Sequence, residues 1–281
     1  MRNYKEFIAA FLPFNAELIS GAFWDLEIEG INELDNSIVI FALEESGVTK
    51  TDIESILQAF KDENLLESFS VKEEVVENRN WNEEWEKKVR VIEVTDKIVI
   101  QPSFKEYSPK EGQVIIKIDP KMSFGTGEHQ TTRLVLQLIE NYVKENDFAL
   151  DVGCGTGVLA IASVLLGAGR AVGIDNDEWC LLNGTENVQL NNLEEKVEIR
   201  LCEIKEVAEK DFDLILANIN KHILIDIKND LAGKLKASGT IILSGLLTTD
   251  EEDIVKCYSE TGLKLIGKKI LDEWIALIFV K

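Results

Sequence analysis

The stretch Asp151-Val-Gly-Cys-Gly-Thr-Gly157 decides the fold of this chain of 281 residues. It follows the apolar residues 148–150 and precedes a run of apolar or small residues, 158–166, which is the pattern of a buried strand, a glycine turn and a helix. Three glycines remove side chains where the backbone turns sharply, so a ligand can approach the backbone and the free amides of the helix N-terminus. The sequence therefore predicts a ligand-binding turn at a strand end.

The spacing of this turn predicts the class of its ligand. A dinucleotide-binding turn has the spacing G-x-G-x-x-G, whereas this turn has the spacing G-x-G-x-G and directly follows the carboxylate of Asp151. That carboxylate opposes a pyrophosphate, which disfavours a nucleotide-binding oxidoreductase, and suits an ammonium group. A second carboxylate, Asp175, ends the apolar run 171–174 and is placed to bind ribose hydroxyls. S-adenosylmethionine, an adenosine with a cationic amino-acid tail, is therefore the predicted cofactor.

The composition, with 45% hydrophobic and 29% charged residues, is that of an ordinary globular protein. No run approaches eighteen apolar residues, and the N-terminal residues lack the apolar core of a signal peptide, so we expect a cytoplasmic protein without a membrane segment. The cysteines and histidines have no metal-ligand spacing, so no metal site is predicted. These residues are Cys154, Cys180, Cys202, Cys257, His129 and His222.

The net charge of −21 comes from 51 acidic and 30 basic residues, and the acidic residues are spread along the whole chain. Such a surface repels a phosphate backbone and attracts a basic protein. We therefore expect no direct contact with nucleic acid, which disfavours an RNA methyltransferase. A simple role in solubility explains the same charge.

The residues that follow Asp175 alternate between helical and strand-like patterns up to a final hairpin, 263–280. This alternation predicts an α/β fold with a Rossmann-like, doubly wound sheet of seven strands, which is mostly parallel and ends in an antiparallel hairpin. Ligands of such sheets bind at the carboxyl ends of the strands. Four polar residues are predicted to lie at such ends, namely Asp151, Asp175, Asn218 and Ser244.

The first part of the chain, residues 1–78, predicts a small α+β domain of the split βαβ, ferredoxin-like kind. Strands are predicted at 4–12, 22–29, 37–43 and 65–76, and a helix with a capping box at Thr51. Because this domain carries no catalytic constellation, we assign it to substrate recognition.

Residues 79–118 are predicted to be a charged linker helix and connecting strands, and the domain that binds S-adenosylmethionine would cover 119–281. Trp81 and Trp85 share one face of the linker helix and are predicted to pack between the domains.

A second glycine turn, Phe124-Gly-Thr-Gly127, precedes a predicted helix whose cap is expected at Thr131 or Thr132. Because it lies directly before the strand of the first turn, the loop can fold over the ligand as a lid, with Gly125 and Gly127 near the cofactor. His129 lies in the same loop. It is a candidate general base, although a histidine held by hydrogen bonds within the lid is the simpler interpretation.

The chain resembles the class I S-adenosylmethionine-dependent methyltransferases, and more narrowly the family that methylates ribosomal protein L11 of the large subunit. The family-specific part of the resemblance is Asp119-Pro120 with Phe124-Gly-Thr-Gly-Glu-His-Gln-Thr-Thr132, together with Asn80-Trp-Asn-Glu-Glu-Trp85 upstream. The parts shared with the wider class are 151–162, Gly173-Ile-Asp175 and Ala217-Asn-Ile219. Strong matches cover residues 79–245.

The resemblance implies cofactor contacts at Thr132, Gly153, Asp175 and Asn218. The residues themselves add Asp151 near the ammonium group of the cofactor, Gly155 in the turn, and the lid glycines 125 and 127. Asn218 could instead contact the substrate, because a similarly placed asparagine orients the nitrogen in methyltransferases of amides and exocyclic amines. It is the first candidate for a catalytic residue, with His129 as the second.

Two residues depart from the pattern of this family. Gln130 stands where the family usually has proline, and Asn220-Lys221 where it usually has Leu-Ala. The second departure lies beside the expected substrate entrance, so it affects the substrate more than the chemistry.

The resemblance implies a protein N-methyltransferase whose substrate is a basic ribosomal protein, modified at α-amino or lysine ε-amino groups. We expect the protein to be a monomer. Alternatives are a lysine methyltransferase of another protein, a small-molecule methyltransferase, and a regulatory module that binds S-adenosylmethionine without turnover. An α-amine titrates near pH 7.7–8.0 and a lysine near 10.4, so the α-amine is the easier nucleophile. The sequence leaves open which amine is methylated and how many methyl groups are added.

Overall fold

The computed structural model describes residues 4–34, 36–76, 89–121 and 123–281. The chain divides into two compact units, Met1–Lys88 and Val89–Lys281. Residues 89–118, which the sequence assigns to a connecting segment, belong to the second unit. The predicted linker helix with Trp81 and Trp85 lies outside the described residues. Within the described ranges, no helix is both long enough and apolar enough to span a bilayer.

The described residues of the first unit form a four-stranded antiparallel sheet and two α-helices. Its elements, in chain order, are β1 (Tyr4–Leu12), a helix (Ala16–Phe23), β2 (Gly30–Leu34), β3 (Ser37–Leu43), a helix (Lys50–Asp62) and β4 (Ser68–Val76). The strand order across the sheet is β2-β3-β1-β4. Side chains from the strands and both helices form one apolar cluster that includes Phe7, Ile19, Ile40 and Leu57.

The strand predicted at 22–29 is wrong. A helix ends at Phe23, and residues 24–29 form turns and irregular backbone. Alternation over this stretch would have buried Trp24, but Trp24 is 58% exposed. Helical spacing instead places Ile19 and Phe23 on one face, and both are fully buried. Packing of this helical face against the sheet therefore prevails over the local alternation.

The second helix of this unit begins earlier than predicted, at Lys50, because Thr49 and not Thr51 is its N-cap. The backbone N–H of Thr49 donates to Asp52 Oδ2 at 2.8 Å, and the N–H of Asp52 donates to Thr49 Oγ1 at 3.4 Å. The two capping patterns overlap in the sequence, and both place Ile53 and Leu57 on the buried face. The pattern therefore fixed the helix and its buried face but not the first residue.

The second unit begins with three short strands that form their own sheet. They are β5 (Ile92–Glu93), β6 (Ile98–Gln101) and β7 (Val114–Lys117), in the order β5-β6-β7. The pair β5 and β6 is antiparallel, and β6 and β7 are parallel. Residues Ile92, Ile98, Ile100 and Ile116 join an apolar cluster with residues of the central sheet and its helices, so this small sheet is part of the core of the second unit.

A seven-stranded sheet forms the centre of the second unit. Its strands are β8 (Phe148–Val152), β9 (Arg170–Asp175), β10 (Val197–Leu201), β11 (Phe212–Asn218), β12 (Leu235–Leu247), β13 (Lys264–Leu271) and β14 (Trp274–Val280). The order is β10-β9-β8-β11-β12-β14-β13. The first five strands in this order are parallel, and β14 is antiparallel to both its neighbours. The predicted doubly wound sheet with a terminal hairpin is confirmed.

Helices cover both faces of this sheet, which explains why its central strands are almost continuously apolar. The helices are Gln130–Tyr142, Val158–Leu165, Glu178–Leu190, Lys221–Asp226, Lys228–Lys234 and Glu251–Ser259. Adjacent strand residues point to opposite faces, so Ala149 belongs to one apolar cluster and Leu150 to the other. The helices Lys221–Asp226 and Lys228–Lys234 are separate because the chain turns at Ile227.

Tyr258 connects two helices of one face through a buried hydrogen bond. Its side chain is fully buried, and its hydroxyl donates to the backbone oxygen of Leu224 at 2.8 Å. Burial also raises the pKa of Tyr258, so the donor proton is retained at all physiological pH values.

Replacing Tyr258 with phenylalanine is expected to lower the free energy of unfolding by about 1–2 kcal/mol, because the oxygen of Leu224 loses its donor in a buried place. Urea denaturation followed by circular dichroism measures this change. The control is Tyr258→Leu, which also removes ring packing and should cost more. An unchanged urea midpoint for Tyr258→Phe would show that the hydrogen bond to Leu224 does not stabilise the fold.

Candidate active site

A cavity of about 630 Å³ opens at the carboxyl ends of the parallel strands. Its volume falls within the range of roughly 300–1,000 Å³ that is typical of small-ligand sites. Residues from six regions of the chain line it: Ser123, Phe124, His129, Thr131, Gly153, Gly155, Asp175, Asn176, Asp177, Cys180, Asn218, Ile219, Asn220, Ile223, Gly245 and Trp274. Of the predicted site residues, the fold brings Gly153, Gly155, Asp175, Asn218 and His129 to this cavity.

The glycine turn has the geometry that requires glycine. Gly153, Gly155 and Gly157 have φ angles of +70°, +53° and +77°. A Cβ atom at Gly153 would lie 2.3 Å from Ile219 Cγ2, and one at Gly155 would lie 2.2 Å from the backbone oxygen of Phe124. The backbone of the turn therefore reaches the cavity wall without side chains.

Asp175 is tied to the glycine turn at the end of β9. Its Oδ2 accepts a hydrogen bond from the Gly155 N–H at 2.9 Å, and its Oδ1 accepts one from the Asp177 N–H at 3.2 Å. Both bonds fix the orientation of the carboxylate beside the cavity. Asp177 caps the following helix by accepting a hydrogen bond from the Trp179 N–H at 2.9 Å.

Asp151 lies deeper than the sequence suggested. Its side chain is fully buried and is not among the residues that line the cavity. Its Oδ2 accepts a hydrogen bond from the Ala160 N–H at 3.1 Å, which joins the strand to the first turn of the next helix. Within the described part of the chain, its Oδ1 has no hydrogen-bond partner. Burial raises the pKa of Asp151 to about 7, the hydrogen bond from Ala160 opposes this rise, and the charge of Asp175 adds to it.

This pKa predicts a pH-dependent stability. Asp151 titrates near pH 3.8 when unfolded and near 7 when folded. Between these values only the folded chain keeps the proton, so the contribution of Asp151 to the free energy of unfolding is full below pH 3.8 and is lost as pH rises to about 7. The free energy of unfolding of Asp151→Asn is therefore expected to rise relative to that of the wild type, by up to about 1.4 kcal/mol for each pH unit over this interval.

Urea denaturation of both cofactor-free proteins at pH 5, 6, 7 and 8 measures the effect. The difference in the free energy of unfolding should change between pH 5 and 7 and then become constant. Parallel pH profiles for the two proteins would show that Asp151 does not titrate in this interval.

Asn218 ends β11 at the cavity and is only 9% exposed. Its Nδ2 donates to Thr132 Oγ1 at 3.4 Å, while its Oδ1 has no partner among the described protein atoms. Thr132 is itself buried and does not line the cavity, whereas its neighbour Thr131 does. Thr132 therefore orients the side chain of Asn218. The side-chain oxygen Oδ1 of Asn218 keeps its capacity to accept a hydrogen bond from a ligand.

The loop that contains the second glycine turn is bonded to the first turn. The N–H of Thr156 donates to the oxygen of Phe124 at 2.9 Å, and its hydroxyl donates to the oxygen of Gly125 at 2.7 Å. A Cβ atom at Gly125 would lie 2.8 Å from Thr156 Oγ1, and one at Gly127 would lie 2.2 Å from Ile100 Cδ1. Both glycines therefore allow close packing of the loop against the protein, and neither lines the cavity.

His129 is the N-cap of the helix Gln130–Tyr142, so the prediction of a cap at Thr131 or Thr132 is wrong. Its Nδ1 accepts a hydrogen bond from the Thr131 N–H at 3.3 Å and lies 2.9 Å from the Thr131 hydroxyl. The hydrogen bond from the Thr131 N–H therefore uses the Nδ1 lone pair within the loop. The ring contacts Phe124 and Trp274 edge-on, at centroid distances of 5.4 and 4.8 Å.

Comparison with known proteins identifies the family. The model of the family described as ribosomal protein L11 methyltransferase (PrmA) matches residues 23–281. The chain belongs to the ribosomal protein L11 methyltransferase family. It is an S-adenosylmethionine-dependent methyltransferase, as the resemblance implied.

Individual relatives extend over most of the chain. The ribosomal protein L11 methyltransferase of Desulforapulum autotrophicum is 32% identical over 284 residues, which cover 93% of this chain and 92% of that protein. The one of Ruminiclostridium cellulolyticum is 31% identical over 260 residues, covering 89% and 81%. The crystal structure of the ribosomal protein L11 methylase from Lactobacillus delbrueckii subsp. bulgaricus is similar with a TM-score of 0.65 at 31% identity, covering 69% of this chain and 99% of that one.

The residues at the cavity fit the cofactor of this family. Asn218 Oδ1 is a buried acceptor without a partner among the described protein atoms, and the carboxylate of Asp175 borders the cavity. Gly153 and Gly155 line the cavity with backbone alone, so no side chain stands between their backbone and a ligand. These four residues would hold S-adenosylmethionine.

The two departures from the family pattern have structural explanations. Gln130 is the first residue of its helix, a position where proline is also well tolerated because no N–H is required there. Asn220 precedes the helix Lys221–Asp226 as its N-cap residue. The ammonium group of Lys221 pairs with Asp250 at 3.0 Å and with Asp253 at 2.7 Å.

Several residues of the cavity wall were not predicted as site residues from the sequence. Ile219 and Asn220 directly follow Asn218, so their place beside a strand end was a usable signal. Trp274 begins β14 and reaches the cavity because it pairs with Leu247 at the end of β12. Pairing between distant strands leaves no local mark in the sequence, so Trp274 could not have been found.

Proposed function

We propose that the chain transfers methyl groups to amino groups of ribosomal protein L11, at its α-amine, at lysine ε-amines, or at both. The observation that carries the proposal is Asn218, which lines a cavity that fits the cofactor and whose buried side-chain Oδ1 has no hydrogen-bond partner among the described protein atoms. The names of the relatives support L11 as the substrate. We assign its recognition to the first unit, which corresponds to the predicted domain 1–78.

The chemistry demands little beyond orientation, because the cofactor supplies a methyl group on a positively charged sulfur that is already activated. The chain must present an amine whose lone pair points at that methyl group. Asn218 Oδ1 can accept a hydrogen bond from an amine N–H, and Thr132 keeps the amide of Asn218 in place. A fixed acceptor of this kind directs the free lone pair of the amine away from Asn218 and toward the reaction.

The wall of the cavity suits an amine that arrives as a cation. Phe124, His129 and Trp274 form an aromatic cluster on the wall, and aromatic faces attract ammonium groups. Removal from water lowers the pKa of an amine, and this second effect opposes the attraction of the cation and favours loss of the proton to give the neutral, nucleophilic form. His129 serves here as a helix cap and packing residue, since its Nδ1 lone pair is used within the loop.

The test is incubation of the purified chain with methyl-labelled S-adenosylmethionine and unmodified ribosomal proteins, followed by mass spectrometry of every labelled product. Label on L11, at lysine or α-amino positions, is the expected result. Asn218→Leu, which removes Oδ1 at similar volume, should lower kcat by about 100-fold. Asp175→Ala is the negative control, because this variant is expected not to bind the cofactor. Label on other proteins in place of L11 would overturn the choice of substrate, and an unchanged kcat for Asn218→Leu would overturn the role of Asn218.

A further inference from the structure

Three large apolar side chains are exposed on the loop of Phe124 and on the helix Glu178–Leu190, which both contribute residues to the cavity wall. Trp179 is 65% exposed, Leu182 is 57% exposed and Phe124 is 53% exposed. Trp179 and Leu182 lie one turn apart on the helix Glu178–Leu190. The Ser123 hydroxyl donates to the backbone oxygen of Trp179 at 3.3 Å, which joins the loop of Phe124 to the first turn of this helix. A group of exposed apolar residues of this size marks a surface that another molecule covers.

This group is continuous with the cavity. Phe124 belongs to both, and Asp177 and Cys180, on either side of Trp179 in the sequence, line the cavity wall. Trp179 itself is not a lining residue. A cofactor inside the cavity therefore leaves Trp179 uncovered, and a substrate that reaches into the cavity must pass beside it.

The charges around the group define its partner. Asp175 and Asp177 line the cavity. Glu128 and Glu178 are exposed, and each is the sequence neighbour of a lining residue. Among the described lining residues, none is lysine or arginine. Lys121, which precedes the loop, is paired with Glu186. An acidic rim around apolar side chains complements a segment that is basic and carries an apolar residue.

We propose that Phe124, Trp179 and Leu182 form a docking patch for the residues that flank the target amine in a basic protein substrate. The proposal rests on the proposed function and adds a site where the substrate contacts the cofactor-binding unit, Val89–Lys281. An apolar side chain beside the target amine packs on Trp179 and Leu182. Basic side chains near it pair with Glu178 and Asp177, and the target amine enters the cavity past Phe124.

The experiment uses the full-length chain with purified, unmodified ribosomal protein L11. The variants are Trp179→Ala, Leu182→Ser and the charge reversal Glu178→Lys. The matched control is Ile266→Ser, because Ile266 is 47% exposed on β13, at the opposite edge of the sheet from β10, against which the helix Glu178–Leu190 packs. For each protein, steady-state kinetics give KM and kcat, equilibrium dialysis gives the Kd of S-adenosylmethionine, and fluorescence anisotropy gives the Kd of labelled L11.

The expected result is a rise of about tenfold or more in the KM and Kd of L11 for Trp179→Ala. Leu182→Ser and Glu178→Lys should show smaller rises, and the increase of KM with salt should be weaker for Glu178→Lys. The kcat and the Kd of S-adenosylmethionine should stay within about twofold of the wild type. Ile266→Ser should resemble the wild type in all four quantities.

Each other outcome has a definite meaning. Normal L11 binding and methylation by the three patch variants would overturn the docking patch and leave the proposed function intact. A weakened Kd of S-adenosylmethionine in Trp179→Ala would overturn it by assigning Trp179 to the cofactor. L11 binding that depends on the patch without methylation would support the patch and refute the proposed reaction. A wild-type chain that neither binds nor methylates L11 would refute both.

Discussion

Gly155→Ala is expected to abolish detectable binding of S-adenosylmethionine and to destabilise the fold. A Cβ atom at this position would lie 2.2 Å from the backbone oxygen of Phe124, and backbone cannot move aside as a flexible side chain can. The φ angle of +53° adds a conformational cost of about 1–2 kcal/mol for any L-residue. Relief of the clash requires the loop of Phe124 to separate from the glycine turn, which would break the two hydrogen bonds of Thr156 and deform the cavity wall.

Gly157→Ala is the matched control, because it separates the clash from the conformational cost. Gly157 has a φ angle of +77°, but a Cβ atom there would meet its nearest neighbour, Ile199 Cδ1, at an ordinary 3.4 Å. Urea denaturation should show a loss of about 1–2 kcal/mol for Gly157→Ala and a clearly larger loss for Gly155→Ala. Calorimetric titration should show cofactor binding only by the control. Equal losses in both variants would mean that the contact with Phe124 does not matter.

Asp175→Asn is expected to weaken S-adenosylmethionine binding by at least about 100-fold. The carboxylate accepts hydrogen bonds from the N–H groups of Gly155 and Asp177 while it borders the cavity. An asparagine would turn its NH₂ group toward one of these donors, and the turn and the ligand would lose a charged acceptor. Hydrogen bonds to charged groups contribute about 1.5–3 kcal/mol each, so the loss of two such bonds from the ribose hydroxyls of the cofactor corresponds to a weakening of this size.

Asp177→Asn tests whether charge alone explains the effect. This variant removes the same charge from the same cavity and keeps a good N-cap for the helix Glu178–Leu190. We expect its Kd for S-adenosylmethionine to stay within a few-fold of the wild type. Circular dichroism would verify that both variants are folded. Similar weakening by both substitutions would show that the net charge of the cavity, and not the position of Asp175, controls binding.

Some site residues were predictable because the reason for each lies in a short stretch of sequence. Gly153 and Gly155 belong to a turn that needs positive φ angles, and Asp175 follows a short apolar strand. Asp151 was identified by the same motif, but its depth was not, because burial depends on how the next helix covers the strand. Thr132 was implied by resemblance, and only the fold shows that its hydroxyl holds Asn218 in place.

The sequence by itself determined the doubly wound sheet and the glycine turn, because both depend on local periodicity and local backbone conformation. Strand and helix periods are written in the order of apolar residues, and parallel connections allow few topologies. Tertiary structure alone decided the cavity wall. Trp274 reaches it through strand pairing, and the Phe124 loop through hydrogen bonds to Thr156. Contacts between residues so distant in sequence are determined by how the whole chain packs, and no short stretch carries that information.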